Sequence, residues 1–192
     1  MYRMLAIGFS AGGIPLIKQI LQALPENYPL PVVIVVHLSA GQATHFAEMI
    51  GAKSRMPVKV AADKETALPG RVYIAPPDYH LLIEQSQHAE PSFALSLDEP
   101  VKSVRPSIDV LFESAAEVFE SGLIALLLSG ANSDGMNGMA YVKELGGLGI
   151  VLDPKHCEYS TMSEATIRRV QVDYIVNLDE IIGLLLSVQD TK

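Results

Sequence analysis

The sequence predicts a doubly wound α/β domain: a mostly parallel sheet with helices on both faces and an antiparallel hairpin extension. Three observations carry this. Apolar runs of strand length alternate with stretches of helical period. The strand runs are continuous rather than alternating, as in strands buried on both faces. About twenty residues separate the first two runs, enough for a crossover helix and a parallel pairing.

The first strand covers Met4–Phe9 and ends in the glycine-rich turn Ser10-Ala11-Gly12-Gly13. Ile17, Ile20, Leu21 and Leu24 then recur at helix spacing until Pro25 stops them. The β-branched run Val32–Val36 is the second strand, and residues 42–50 form a second helix. Short runs at Val58–Val60, Val72–Ile74, 81–84 and 93–97, broken by Pro and Gly, predict hairpins. Residues 90–104 read as a loop leading into a helix with Pro106 in its first turn. That helix carries the stripe Ile108, Leu111, Phe112, Ala115 and Phe119. Residues 123–128 form another central strand, and a helix runs from near Asp134 to Gly146-Gly147. A strand at 149–152, a helix at 163–169 and a strand at Tyr174–Val176 follow. Asn177 and Glu180 have capping-box spacing before the last helix, whose face is Leu178, Ile181, Leu185 and Val188.

At 192 residues and 49% hydrophobic content the chain reads as one domain, 1–192, able to bury its own core. A net charge of −8 argues against a nucleic-acid partner. No apolar run approaches the length of a membrane span, so no membrane insertion is expected. The single cysteine, Cys157, has no internal partner and no activating surroundings, and with no export signal it points to a cytoplasmic protein.

Ligands of open parallel sheets bind beyond the carboxyl ends of the strands. Ser10 follows the first strand, His37 the second, and Ser129-Gly130-Ala131-Asn132-Ser133-Asp134-Gly135 the strand at 123–128. A hydroxyl, an imidazole and a carboxylate at one sheet edge are the parts of a nucleophile, its base and the group orienting that base. The Gly8-x-Ser10-x-Gly12 pattern suits a sharp strand-to-helix turn that exposes the hydroxyl, with helix amides ready to hold an oxyanion. Each residue also has a plainer reading: a phosphate-cradling turn at Ser10, a structural histidine at His37, a helix N-cap at Asp134. The remaining histidines, His45, His80, His88 and His156, lack metal-ligand spacing, so no metal is expected. Arg105 could grip a substrate carboxylate or pair with a structural acid.

The runs Ala6-Ile7-Gly8-Phe9-Ser10-Ala11-Gly12-Gly13, Arg105-Pro106-Ser107-Ile108-Asp109-Val110-Leu111-Phe112 and Leu128-Ser129-Gly130-Ala131-Asn132-Ser133-Asp134-Gly135 resemble the CheB methylesterase domain. So do Val36-His37, Tyr73-Ile74-Ala75-Pro76-Pro77 and Met162 followed by Ala165, in the family's order from about Met4 to the last helix. The resemblance implies hydrolysis of glutamate methyl esters on chemoreceptors, with release of methanol, and deamidation of receptor glutamines. It implies Ser10 as nucleophile, His37 as general base and Asp134 as orienting acid. The backbone amides of Ala11 and Ala131 become the oxyanion donors, and no cofactor is needed. Partners implied are the cytoplasmic domain of a methylated chemoreceptor and, since no receiver domain is expected in the chain, a separate regulatory receiver protein. The sequence departs from the family at Ala11, usually threonine, at Ala131-Asn132, usually methionine and glycine, and at Leu38-Ser39 after His37. The rival readings are a flavodoxin-like or Rossmann-like phosphate- or nucleotide-binding module, a catalytically silent scaffold, and a general esterase on small substrates.

Overall fold

The computed structural model describes residues 1–38, 41–85 and 90–188. Its main sheet has seven strands: β1 (Met4–Phe9), β2 (Val32–Val36), β3 (Val58–Val60), β4 (Val72–Ile74), β7 (Leu123–Leu127), β8 (Leu148–Leu152) and β9 (Tyr174–Val176). They lie in the order β3-β4-β2-β1-β7-β8-β9, and every pairing is parallel. The chain starts at the centre with β1, adds β2 beside it, passes to the edge for β3, fills the gap with β4, then returns to the other side of β1 for β7. The winding therefore reverses at β1, whose end forms a switch-point crevice with its neighbours.

Alternate residues of each strand feed two cores. Met4, Ala6, Val33 and Val35 face the layer of α3 (Ile108–Phe119), α4 (Met136–Glu144) and α5 (Thr161–Arg169). Leu5, Ile7, Phe9, Val32 and Ile34 face α1 (Ile14–Ala23), α2 (Ala43–Gly51) and α6 (Leu178–Ser187). Burial on both faces explains why β1, β2 and β7 are apolar at every position. The last helix opens with the predicted capping box: Asn177 accepts from the Glu180 amide, and Glu180 accepts from the Asn177 amide.

Several local expectations are corrected. Val58–Val60 and Val72–Ile74 are not hairpin strands but parallel members of the main sheet, β3 at its edge and β4 inside it. Val72, Tyr73 and Ile74 are all fully buried, which a solvated hairpin would not require. The expected antiparallel hairpin is β5 (His80–Glu84) with β6 (Ser92–Ser96), which forms a two-stranded sheet of its own. It packs against α3, where Ser114 Oγ accepts from the Ile83 amide at 3.1 Å. Pro106 precedes the Ser107 cap and so lies outside the first turn of α3. The helix expected near Asp134 begins at Met136, with Gly135 at its cap position.

Candidate active site

Ser10 sits on the turn between β1 and α1. Its backbone amide donates to Ser129 O at 2.9 Å, and its carbonyl accepts from the Gly13 amide at 3.2 Å. Two of the surrounding glycines are sterically required. Gly12 has φ +77°, and a Cβ there would lie 2.7 Å from Ser129 Oγ and from the Cβ of Glu158. A Cβ on Gly8 would come within 2.3 Å of Ile108, so glycine lets the first turn of α3 close against β1. The turn leaves Ser10 half-buried just before the amino end of α1, where the helix dipole favours negative charge.

His37 directly follows β2, and Asp134 lies in the loop after β7. His37 Nε2 is 2.8 Å from Asp134 Oδ2; the carboxylate side chain is 0% exposed and the imidazole 13%. Asp134 does not cap its own helix. Its Oδ2 also accepts from the Ile108 amide at 2.7 Å. Its Oδ1 accepts from Ser107 Oγ at 2.8 Å and from the amides of Asp109 and Gly135, each at 3.1 Å. The carboxylate therefore occupies the amino end of α3, closing orphan donors of that helix from across the chain. Burial alone would raise the Asp134 pKa, but the bonds from His37, Ile108, Ser107 and Asp109 outweigh it and hold the carboxyl below its ordinary value.

These contacts determine the imidazole tautomer. A carboxylate only accepts, so Nε2 carries the proton it donates to Asp134, and Nδ1 is left with a free lone pair. Among the described residues, no hydrogen bond joins Ser10 Oγ to His37. Nδ1 instead faces Asn132 Nδ2 at 3.5 Å. Among the described residues the backbone amides of Ala11 and Ala131 donate to no protein acceptor.

The structure brings Ser10, His37 and Asp134 to the same sheet edge, on the ends of β1 and β2 and just beyond β7. One guanidinium nitrogen of Arg105 donates to the carbonyls of Leu97 and Asp98 at 2.8 and 2.9 Å, bracing the loop before α3. His80 is 2% exposed; it bonds the Glu99 carbonyl through Nε2 and accepts from the Ser107 amide through Nδ1. His45 and His156 are exposed, and His88 lies outside the described residues. No group of three His, Cys, Asp or Glu side chains that could hold a metal occurs among the described residues. No helix among them is long and apolar enough to cross a membrane.

Two serines escaped the sequence reading. Ser107 binds Asp134, as described, and is fully buried. Ser129, also fully buried, ties three loops together. Its hydroxyl donates to Ala11 O at 2.8 Å, lies 3.2 Å from Tyr159 O and accepts from the Tyr159 amide at 3.1 Å. Neither announces itself by spacing, because the partners are remote in sequence. Asn132 carried a signal, since Asn-x-Asp is the pattern of a side chain that bonds the backbone two residues on. Asn132 Oδ1 does accept from the Asp134 amide, at 3.1 Å.

The CheB methylesterase family pattern matches residues 5–185. A Leptospira interrogans protein bearing a protein-glutamate methylesterase/protein-glutamine glutaminase name is 43% identical over 191 residues, covering 100% of this chain and 97% of its own. A Thermotoga maritima protein of the same name is 35% identical over 174 residues, 91% of this chain and 50% of its own length. The crystal structure of the Thermotoga maritima CheB methylesterase catalytic domain superposes with a TM-score of 0.93 at 34% identity, over 98% of this chain and 99% of that one.

Proposed function

The chain belongs to the CheB methylesterase family, and on that premise we propose that it removes methyl esters from glutamate side chains of chemoreceptors as a serine hydrolase. The observation that carries the chemistry is the His37–Asp134 pair. A buried carboxylate holds one imidazole nitrogen and leaves the other basic, at the sheet edge where a glycine turn presents Ser10.

In this proposal Ser10 Oγ attacks the ester carbonyl and passes its proton to His37 Nδ1. Asp134 keeps the imidazole in the reactive tautomer and stabilises the imidazolium that forms. The amides of Ala11 and Ala131 receive the oxyanion. Collapse expels methoxide, which takes the proton from Nδ1 and leaves as methanol. Water, deprotonated by the same nitrogen, then releases the glutamate carboxylate and frees Ser10. A glutamine side chain can follow the same course with ammonia as leaving group, which accounts for the double name of the relatives.

Residues 1–192 act as one catalytic unit in this proposal. The substrate is the cytoplasmic domain of a methylated receptor, which places the enzyme in the cytoplasm, and regulation is assigned to a separate receiver protein. The test is methanol release from membranes carrying methylated chemoreceptor. Release is expected from receptor; hydrolysis of small methyl esters alone would replace the receptor reading with that of a general esterase.

A further inference from the structure

Asn132 stands in the loop between Ala131 and Asp134, and its carboxamide has a determined orientation. Oδ1 accepts from the Asp134 amide at 3.1 Å, so this end must be the oxygen. The end that faces His37 Nδ1 at 3.5 Å is then the NH₂ group. Nδ1 is the unprotonated nitrogen, because Nε2 donates to Asp134 at 2.8 Å. An N–H of Asn132 is therefore aimed at the atom that must receive the proton of Ser10. At 3.5 Å the contact is at the outer limit of a hydrogen bond and is easily surrendered. Asn132 is only partly buried.

We propose that Asn132 is a further catalytic residue, a side-chain donor to the oxyanion. The inference rests on the serine-esterase reading above. As the Oγ–C bond forms, the proton of Ser10 moves to Nδ1 and the carbonyl π pair moves onto the carbonyl oxygen. Nδ1 has one lone pair, so the Asn132 N–H yields it when the Ser10 O–H engages, and a protonated Nδ1 cannot take that N–H back while the anion stands beside it. To hand over its proton, Ser10 Oγ must come within about 3 Å of Nδ1. The new oxyanion is one carbon further on, within reach of an amide that already stands 3.5 Å from that nitrogen. When the C–OCH₃ bond breaks, methoxide takes the proton, Nδ1 regains its lone pair, and the Asn132 N–H returns to it. The donor is thus free while the negative charge exists and is withdrawn when it is gone. The amides of Ala11 and Ala131 have no such dependence on the state of His37.

The test compares methanol release by wild type, Ser10→Ala and Asn132→Ser. Serine keeps an oxygen able to accept from the Asp134 amide but is too short to donate to the oxyanion. The expected result is a fall in kcat of about 10²- to 10³-fold with KM changed less than about twofold, as for loss of one oxyanion donor. The proton of His37 Nε2 bound to Asp134, read by NMR, is expected to stay where it is, showing that the base remains positioned. Should Asn132→Ser lose its fold, Asn132→Thr keeps an accepting oxygen, is likewise too short to donate to the oxyanion, and carries the same prediction. A kcat equal to or above wild type would overturn the inference and reduce Asn132 to a cap on Nδ1. A rise in KM at unchanged kcat would overturn it too, making Asn132 a substrate contact. No Ser10-dependent release from wild type would instead sink the serine-esterase reading, and this inference with it, before any Asn132 variant is compared.

Discussion

Asp134→Asn tests the tautomer argument most severely, because shape is kept and only donor and acceptor change. Every partner of the Asp134 carboxylate is a donor: Ser107 Oγ and the amides of Asp109 and Gly135 at Oδ1, His37 Nε2 and the Ile108 amide at Oδ2. An asparagine must turn its NH₂ toward one of the two sets. Facing the smaller set puts it against His37 and Ile108. His37 can adapt by moving its proton to Nδ1 and accepting through Nε2. Nδ1 then carries a hydrogen and cannot take the proton of Ser10. Loss of the correct tautomer is expected to lower kcat by about 10³- to 10⁴-fold, roughly 4 to 5.5 kcal/mol of barrier. The Ile108 amide cannot adapt and is left facing a donor, at a cost of about 1–3 kcal/mol in stability. The assays are kcat for methanol release and a chemical denaturation curve. A variant within about tenfold of wild type in kcat would refute the reasoning, since the base would not depend on that carboxylate for its tautomer.

Two further outcomes follow from the same contacts. Gly12→Ala is expected to abolish most activity, because an added Cβ would meet Ser129 Oγ and the Cβ of Glu158 at 2.7 Å while the backbone holds φ +77°; wild-type kcat in that variant would remove the steric account of the nucleophile turn. In acid, Asp134 contributes a specific loss of stability: its folded pKa lies below the 3.8 of the unfolded group, so its stabilisation is complete above that value and disappears as pH falls through the folded pKa. Melting temperatures between about pH 5 and 2 should therefore fall less for Asp134→Asn than for wild type, and parallel curves would contradict the assignment.

Much of the architecture was legible in the sequence because the signals were local. The all-apolar runs of β1, β2 and β7 and the helical stripe of α3 are consequences of burial that single segments record. Strand partnership is not local, and there the reading slipped. Val58–Val60 and Val72–Ile74 are short and flanked by Pro and Gly, which suggested a hairpin, yet both align in parallel beside β2. The candidate site shows the same division. Ser10, His37 and Asp134 were found because each follows a recognisable strand in chain order. The cap position that Asp134 takes was not found, since it lies at α3 rather than α4, more than twenty residues back in sequence. Ser107, Ser129 and the aim of Asn132 depend likewise on loops meeting across the sheet edge.

The central claim is that Ser10 attacks a receptor methyl ester. The most direct measurement is methanol release from methylated receptor membranes by wild type and Ser10→Ala at equal concentration. Alanine leaves intact the backbone bond from residue 10 to Ser129 O and the glycine turn around it, so the variant should stay folded. Release is expected from wild type and none above the enzyme-free blank from Ser10→Ala; equal release by both proteins would contradict attack by Ser10.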